Sequence, residues 1–264
     1  MTSRSAKRKP GAKRPSGAKR QAGDKHKPVP KRAMLLAAGL ATRLKHLRQN
    51  GPKALLTVGG RTLLDHVLDR LEEVGVKEAM INLHYKGEMI RDHLAKSRKN
   101  GLDISFSDES GLLLDTGGGV AKALTFFKDE PFYVINAKQI WTNGYLNALQ
   151  RLADAWDGRR MDALLMLVAT VSAIGYEGVG DFDMDPDGRV TRRQEGKVAP
   201  FVYAFQMVHP RLFKDCPDGP FSFNLLWDRA IEAGRLYGIR HDGVWIHVGT
   251  PDQLVEAEAA LQDQ

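Results

Sequence analysis

The chain has 264 residues, of which 42% are hydrophobic and 8% aromatic, so it can bury one sizeable core in one or two domains. Its formal net charge is +7, but residues 1–32 carry twelve Lys or Arg and one acidic side chain, and the remainder is slightly acidic. The body therefore gives no reason to expect a nucleic-acid-binding face. No apolar run reaches the ~18–20 residues of a membrane span, and a single cysteine, Cys216, excludes an internal disulfide, so we expect a cytoplasmic protein.

The basic segment over residues 1–32 contains almost no bulky apolar side chain. Such a segment cannot bury enough surface to fold alone. We therefore predict a disordered basic arm over residues 1–32, followed by one domain over residues 33–264. The charge of the arm favours weak contact with a polyanion, and the alternative is a solvated extension without a specific partner.

The first apolar run, Met34 to Leu36, is typical of a buried strand, and it leads directly into Ala37, Ala38 and Gly39. Small residues in such a turn let a ligand approach the backbone closely. Backbone N–H groups in a turn of this kind often bind phosphate. Arg43 and Lys53 would add positive charge beside it, so the pattern favours nucleotide binding over a turn that binds nothing.

Helical and extended patterns alternate through the rest of the chain. Apolar spacing predicts helices over residues 63–75 and 87–95, and strands over residues 78–83, 103–107, 132–136 and 163–171. This alternation predicts an α/β fold, a Rossmann-like doubly wound and mostly parallel sheet in a single domain. Ligands of such sheets bind at the carboxyl ends of the strands, which would place Gly39 and Asn136 along one edge.

Three consecutive glycines, Gly117, Gly118 and Gly119, precede a helix-forming run that begins at Ala121. The glycines predict a loop that approaches a ligand closely, with the helix N-terminus opening on it. A flexible loop without function is the alternative.

Taken together, these stretches resemble the sugar-phosphate nucleotidylyltransferases, and most of all the N-acetylmuramate-1-phosphate uridylyltransferase and mannose-1-phosphate guanylyltransferase type. The resemblance covers about residues 33–261. It implies a domain that binds a nucleoside triphosphate and a sugar 1-phosphate, whose phosphate oxygen attacks the α-phosphorus while pyrophosphate leaves. The matching stretches are Leu36-Ala37-Ala38-Gly39 with Thr42-Arg43, Pro52-Lys53, Asp115-Thr116-Gly117-Gly118-Gly119, Gly180-Asp181-Phe182 and Trp245-Ile246-His247-Val248-Gly249-Thr250.

The resemblance also implies a role for individual residues. The backbone of Ala38 and Gly39 would contact the nucleotide, and Asn136 would lie at its nucleoside end. The remaining implied contacts are Arg43 with the β- and γ-phosphates, Lys53 with the α-phosphate or the incoming phosphate, Gly117, Gly118 and Gly119 with the base, and Asp181 with the sugar.

Two departures from the family pattern concern its Mg²⁺ site. Lys138 and His247 stand where the family has the two aspartates that hold the ion. An ammonium repels Mg²⁺ and an imidazole is a poor ligand for it, so no metal is expected to bind well. In the first loop, Ala41, His46 and Arg48 replace the family's usual glycine, proline and threonine.

These departures predict a chain that is severely impaired or inactive in Mg²⁺-dependent transfer and that still binds nucleotide. One alternative is an active enzyme with a non-standard metal site, or with Lys138 replacing the metal charge. Its substrates would be UTP with N-acetylmuramate 1-phosphate, or GTP with mannose 1-phosphate. A further alternative assigns the function to the basic arm.

Overall fold

The computed structural model describes residues 26–40, 51–97 and 101–262. The bounds of its helices and strands follow. The strands are β1 (Arg32–Leu36), β2 (Thr57–Val58), β3 (Arg61–Thr62), β4 (Glu78–Leu83), β5 (Asp103–Asp108), β6 (Phe132–Asn136), β7 (Gln139–Trp141), β8 (Ala163–Ala169), β9 (Ala173–Ile174), β10 (Phe182–Met184), β11 (Val190–Arg192), β12 (Phe201–Val208), β13 (Leu236–Arg240) and β14 (Trp245–His247). The helices are α1 (Leu63–Val74), α2 (Gly87–Ser97), α3 (Asp115–Lys122), α4 (Ala148–Ala155), α5 (Phe223–Glu232) and α6 (Pro251–Gln262).

The central sheet is mostly parallel, as the alternating pattern predicted. Seven of its strands follow the order β5-β4-β1-β6-β12-β8-β13, and within the described chain β12 runs opposite to the other six. The hairpin β10–β11 joins this sheet through the pair Phe182–Phe201, beyond the end of β6. The carboxyl ends of β4, β1 and β6 therefore lie side by side at one edge.

Helices cover both faces of the sheet, which makes the fold doubly wound. Along β1, Ala33 and Leu35 belong to the core beneath α1, α2 and α4, whereas Met34 belongs to the core beneath α3 and α5. This alternation follows from the two-residue period of a strand. A third, smaller cluster joins α6 to β14 and β7.

Local sequence explains where the first helix begins and ends. The Thr62 hydroxyl accepts a hydrogen bond from the Asp65 N–H at 3.0 Å and caps the start of α1. Gly75 has a φ of +93° and ends the helix in the left-handed conformation that glycine tolerates best. The helix ends at Val74, as its apolar spacing predicted to within one residue.

The predicted strand over residues 163–171 is shorter in the structure. It ends at Ala169 and a 3-10 turn follows over Thr170–Ser172. The apolar run of the sequence extends to Val171, but this side chain is 97% exposed and is not part of the core.

The predicted basic arm lies mostly outside the described residues, since the description begins at residue 26. His26 and Lys27 already contact α4: the Lys27 N–H donates to Asp154 at 2.8 Å, and its ammonium donates to the Trp156 carbonyl at 2.8 Å. Disorder and polyanion contact of the arm stay predictions. None of the helices in the described part of the chain is long and apolar enough to cross a membrane.

Candidate functional site

A cavity of about 210 Å³ opens at the carboxyl ends of β1, β4 and β6. It brings together Ala38, Gly39, Lys53 and Asn136, which the sequence assigned to a nucleotide site, and also Lys138. The parallel register of Leu36 with Asn136 explains this meeting, because each residue ends its strand. The other lining residues are Leu36, Ala37, Ala54, Asn82, Leu113, Asp115, Thr116 and Ala137.

The turn after β1 is held in shape by Asn82, at the end of β4. Its side-chain oxygen accepts the N–H groups of Ala37 and Ala38 at 2.7 and 3.3 Å. Its side-chain nitrogen donates to buried Glu109 at 2.8 Å, and the other Glu109 oxygen accepts the Leu114 N–H at 3.1 Å. One buried pair therefore fixes both the turn and the approach to α3.

Gly39 is the exposed member of the turn, and a Cβ atom added there would meet nothing within 4 Å. It therefore borders open space in the cavity rather than packed protein. This position suits the close backbone approach that the sequence predicted.

The prediction of a loop at the three glycines is wrong, because Gly117–Gly119 lie inside α3, which begins at Asp115. All three are buried, and each added Cβ would collide with packed protein: with Phe221 at Gly117, with the Gly219 carbonyl at Gly118, and with Glu109 at Gly119. The glycines let the helix approach its neighbours closely. Asp115 and Thr116, at the start of the helix, line the cavity instead.

Lys138 and His247, which the resemblance places at the family's two metal-binding positions, come close together in the backbone. They flank the antiparallel pair β7–β14, in which His247 lies opposite Gln139 and the Val248 N–H donates to the Lys138 carbonyl at 3.2 Å. An ammonium cannot ligate a metal, and an imidazole is a poor partner for Mg²⁺, which prefers hard oxygen ligands. These two residues do not fit Mg²⁺.

A second cavity of about 220 Å³ adjoins the first, and both are lined by Leu36, Asp115, Thr116, Asn136 and Lys138. It extends from β6 toward β12 and α5. Its other lining residues are Tyr203, Gln206, Ser222, Phe223, Asn224 and Trp227.

Asp181, which the resemblance assigned to the sugar, lies one cavity farther along. It lines a recess with Arg192, Arg193, Asn224 and Asp228, and Asn224 is shared with the second cavity. Burial raises the pKa of the Asp181 carboxyl above its ordinary value, although its hydrogen bond from the Tyr203 N–H at 2.9 Å and the two arginines oppose the shift. A partly buried carboxylate of this kind can accept hydrogen bonds from a polyol.

Arg43 and the loop substitutions Ala41, His46 and Arg48 lie outside the described residues. Sequence reasoning missed Asn82, Glu109 and Gln206. Asn82 carried a usable signal, as a polar residue at the carboxyl end of an apolar strand, and Gln206 is the polar residue within the apolar strand β12.

Known proteins resemble this chain over most of its length. Residues 32–264 match the family described as Nucleotidyl transferase. The chain is 41% identical over 237 residues to N-acetylmuramate alpha-1-phosphate uridylyltransferase of Caulobacter vibrioides, covering 89% of this chain and 98% of the relative. It is 30% identical over 229 residues to the protein of that name from Neisseria meningitidis serogroup B, covering 86% and 97%.

Solved structures support the fold. The crystal structure of HddC from Yersinia pseudotuberculosis superposes with a TM-score of 0.71 at 24% identity, covering 88% of this chain and 99% of that one. At this identity the likeness supports the architecture alone.

Proposed function

Because the chain belongs to the nucleotidyl transferase family, we propose that it binds a nucleoside triphosphate in the first cavity and a sugar 1-phosphate beyond Asn136, but is severely impaired in Mg²⁺-dependent transfer between them. The proposal rests on the position of Lys138. It lines the cavity at the end of β6 and is hydrogen-bonded through its backbone to the strand of His247.

The charge of the cavity suits a triphosphate without a metal. Lys53 and Lys138 both line it, and Asp115 is the one acidic residue among the described lining residues. Two ammonium groups attract phosphoryl oxygens and repel a divalent cation. We therefore expect nucleotide binding to persist when Mg²⁺ is removed.

In the reaction of this family, an oxygen of the sugar phosphate attacks the α-phosphorus and pyrophosphate leaves. The protein must hold the two substrates in line and neutralise charge on the phosphoryl oxygens. Lys53 and Lys138 would supply that charge in this chain, and Asn136 would position the nucleoside. The missing carboxylates are the reason to expect slow turnover.

The alternative is an active enzyme in which Lys138 replaces the charge of the metal, or in which a non-standard set of ligands holds one. For either case the substrates best supported are UTP and N-acetylmuramate 1-phosphate, because the relatives at 41% and 30% identity are named for that reaction. GTP with mannose 1-phosphate is the second pair, named for relatives at 25–27% identity.

Binding and turnover, measured separately, test the proposal. Calorimetric titration with UTP and GTP, in EDTA and in Mg²⁺, should show binding that needs no metal. Pyrophosphate release, measured with both sugar phosphates and with Mg²⁺ or Mn²⁺, should be slow or absent. Metal-stimulated turnover at rates normal for enzymes, about 1–10³ per second, would overturn the impairment, and absence of nucleotide binding would overturn the site.

Arg43→Ala and Lys53→Ala should each weaken nucleotide affinity. If the two charges are solvent-exposed, high salt should reduce both effects, because exposed charges are screened. Unchanged affinity in both variants would make the first turn structural only.

A further inference from the structure

Asp115 has an unusual backbone conformation at the start of α3. Its φ is +59°, in the left-handed region that glycine adopts freely and other residues adopt at a cost in free energy. Four other non-glycine residues of the described chain have a positive φ, and none of them lines the first or the second cavity. Such a conformation persists at a functional site when the surrounding structure enforces it.

Hydrogen bonds enforce this conformation on both sides of the residue. Before it, the Leu114 N–H donates to the buried Glu109 carboxylate at 3.1 Å. After it, the Thr116 hydroxyl oxygen accepts the Phe223 N–H at 2.9 Å. One oxygen of Asp115 itself accepts the Thr116 N–H at 2.6 Å, which restricts rotation of the side chain. The carboxylate is therefore held in a defined place, although the residue is exposed.

This carboxylate lies where the two cavities join. Asp115 lines both of them, together with Leu36, Thr116, Asn136 and Lys138, and it is the one acidic residue among the described residues that line either cavity. If a nucleoside triphosphate occupies the first cavity and a sugar 1-phosphate the second, the reacting phosphates must meet at this junction. Asp115 then faces the groups attached to those phosphates.

The chemistry of a carboxylate determines which of these groups it can bind. A carboxylate only accepts hydrogen bonds, and it repels the phosphoryl oxygens themselves. The group attached to the α-phosphate is the ribose, which separates the base from the reaction, and the group attached to the other phosphate is the ring of the acceptor. Both rings carry hydroxyl groups, which donate hydrogen bonds.

Resting on the proposed function, we propose that Asp115 is a specificity-determining residue that accepts hydrogen bonds from ring hydroxyls next to the reacting phosphates, either those of the ribose or those of the sugar 1-phosphate. A glycine would adopt the same backbone conformation without strain but would offer no acceptor. A ligand that lacks these hydroxyls meets only the repulsion between its phosphates and the carboxylate.

The test compares ligands that differ by one hydroxyl, using calorimetry in EDTA. UTP is compared with 2′-deoxy-UTP and 3′-deoxy-UTP, and mannose 1-phosphate with its 2-deoxy analogue. Removing the hydroxyl that Asp115 binds should weaken affinity on the order of tenfold, as expected for a hydrogen bond to a charged group. The ratio of the two affinities is the readout, because a change of charge at residue 115 affects both ligands of a pair alike.

Two variants remove the acceptor to different extents. Asp115→Gly should bring the ratio close to one, and its melting temperature should stay level or rise, because the left-handed conformation is relieved. A residue with a purely structural role would instead lose stability and leave the ratio unchanged. Asp115→Asn keeps the shape and one acceptor oxygen, so the ratio should fall only to a few-fold.

Asp215→Gly is the matched control. Asp215 is also exposed and has a φ of +54°, but it lines neither cavity. This variant should change the melting temperature in the same direction as Asp115→Gly and leave both ratios as they are in the unaltered chain.

A preference for the ribose hydroxyls or for the 2-hydroxyl of the acceptor, lost in Asp115→Gly, supports the inference and identifies the ring. Ratios near one for every pair in the unaltered chain would overturn it, and so would a preference that survives Asp115→Gly. If Asp115→Gly changes UTP affinity only when Mg²⁺ is present, Asp115 is a metal ligand and the inference is wrong. Absence of UTP binding, with the acceptor preference intact, would mean that the proposed function fails while the inference stands.

Discussion

If the chain is impaired as proposed, placing carboxylates at residues 138 and 247 should give it metal-dependent turnover. The double variant Lys138→Asp with His247→Asp changes the charge by two units at the first position and by one at the second. The Val248 N–H and the Lys138 carbonyl are 3.2 Å apart, so residue 138, just before β7, and residue 247, at the end of β14, are neighbours. Carboxylates there could approach one ion.

The magnitude follows from Coulomb's law. At an effective dielectric constant of about 20, one unit pair about 4 Å apart contributes roughly 4 kcal/mol. This energy corresponds to about a thousandfold in metal occupancy or rate. Allowing for screening, we expect pyrophosphate release in Mg²⁺ to rise at least about a hundredfold in the double variant.

The assay is pyrophosphate release by the double variant, the two single variants and Lys138→Ala, with and without Mg²⁺. Lys138→Ala removes the ammonium without adding a ligand, so a small gain there attributes the effect to ligation. Comparable metal-stimulated turnover in the unaltered chain would refute the reasoning and place the metal elsewhere. Incomplete recovery in the double variant would implicate Ala41, His46 and Arg48.

Three further predictions concern stability, and melting temperature measures each. Deleting residues 1–25 should leave the melting temperature nearly unchanged. Deleting residues 1–30 should lower it by a few degrees, because the Lys27 hydrogen bonds to Asp154 and Trp156 are lost. Equal losses in both deletions would mean that residues 1–25 also dock on the body. Gly118→Ala should lower the free energy of unfolding by about 1–3 kcal/mol, because the added methyl collides with the Gly219 carbonyl. Gly111→Ala is the control and should have no effect, because its methyl meets nothing within 4 Å. Asp181→Asn should raise the melting temperature at pH 7 and not at pH 3. Burial raises the pKa of Asp181 in the folded protein, so the carboxyl destabilises the fold only above its unfolded pKa of about 3.9. A gain that persists at pH 3 would contradict this.

The sequence predicts the central sheet well where periodicity is strong. The strand of β1, the helix α1 and the strand β4 each bury a regular apolar pattern, and tertiary packing agrees with local preference. The short strands β7, β9 and β14 carry two or three residues each, too few for any period to show. Their pairing depends on contacts between distant parts of the chain.

The glycines of α3 show where local preference fails. Glycine disfavours a helix by about 1 kcal/mol relative to alanine, so three in succession predict a loop. The structure has a helix there because the absence of side chains permits contact with Phe221, Gly219 and Glu109. Tertiary packing outweighs the propensity, and one sequence does not reveal those partners.

Two buried amides illustrate what a structure adds to a list of polar residues. Asn82 uses both ends within the protein, since its oxygen accepts from the Ala37–Ala38 turn and its nitrogen donates to Glu109. Asn82 therefore positions the turn, and most of its hydrogen-bonding capacity is used within the protein. The Gln206 side-chain oxygen accepts the Trp227 indole N–H at 2.8 Å, and both residues line the second cavity. The sequence marks both as polar residues in apolar strands, but only the hydrogen-bond partners show that Asn82 supports the turn and that Gln206 holds the Trp227 ring at the wall of the second cavity.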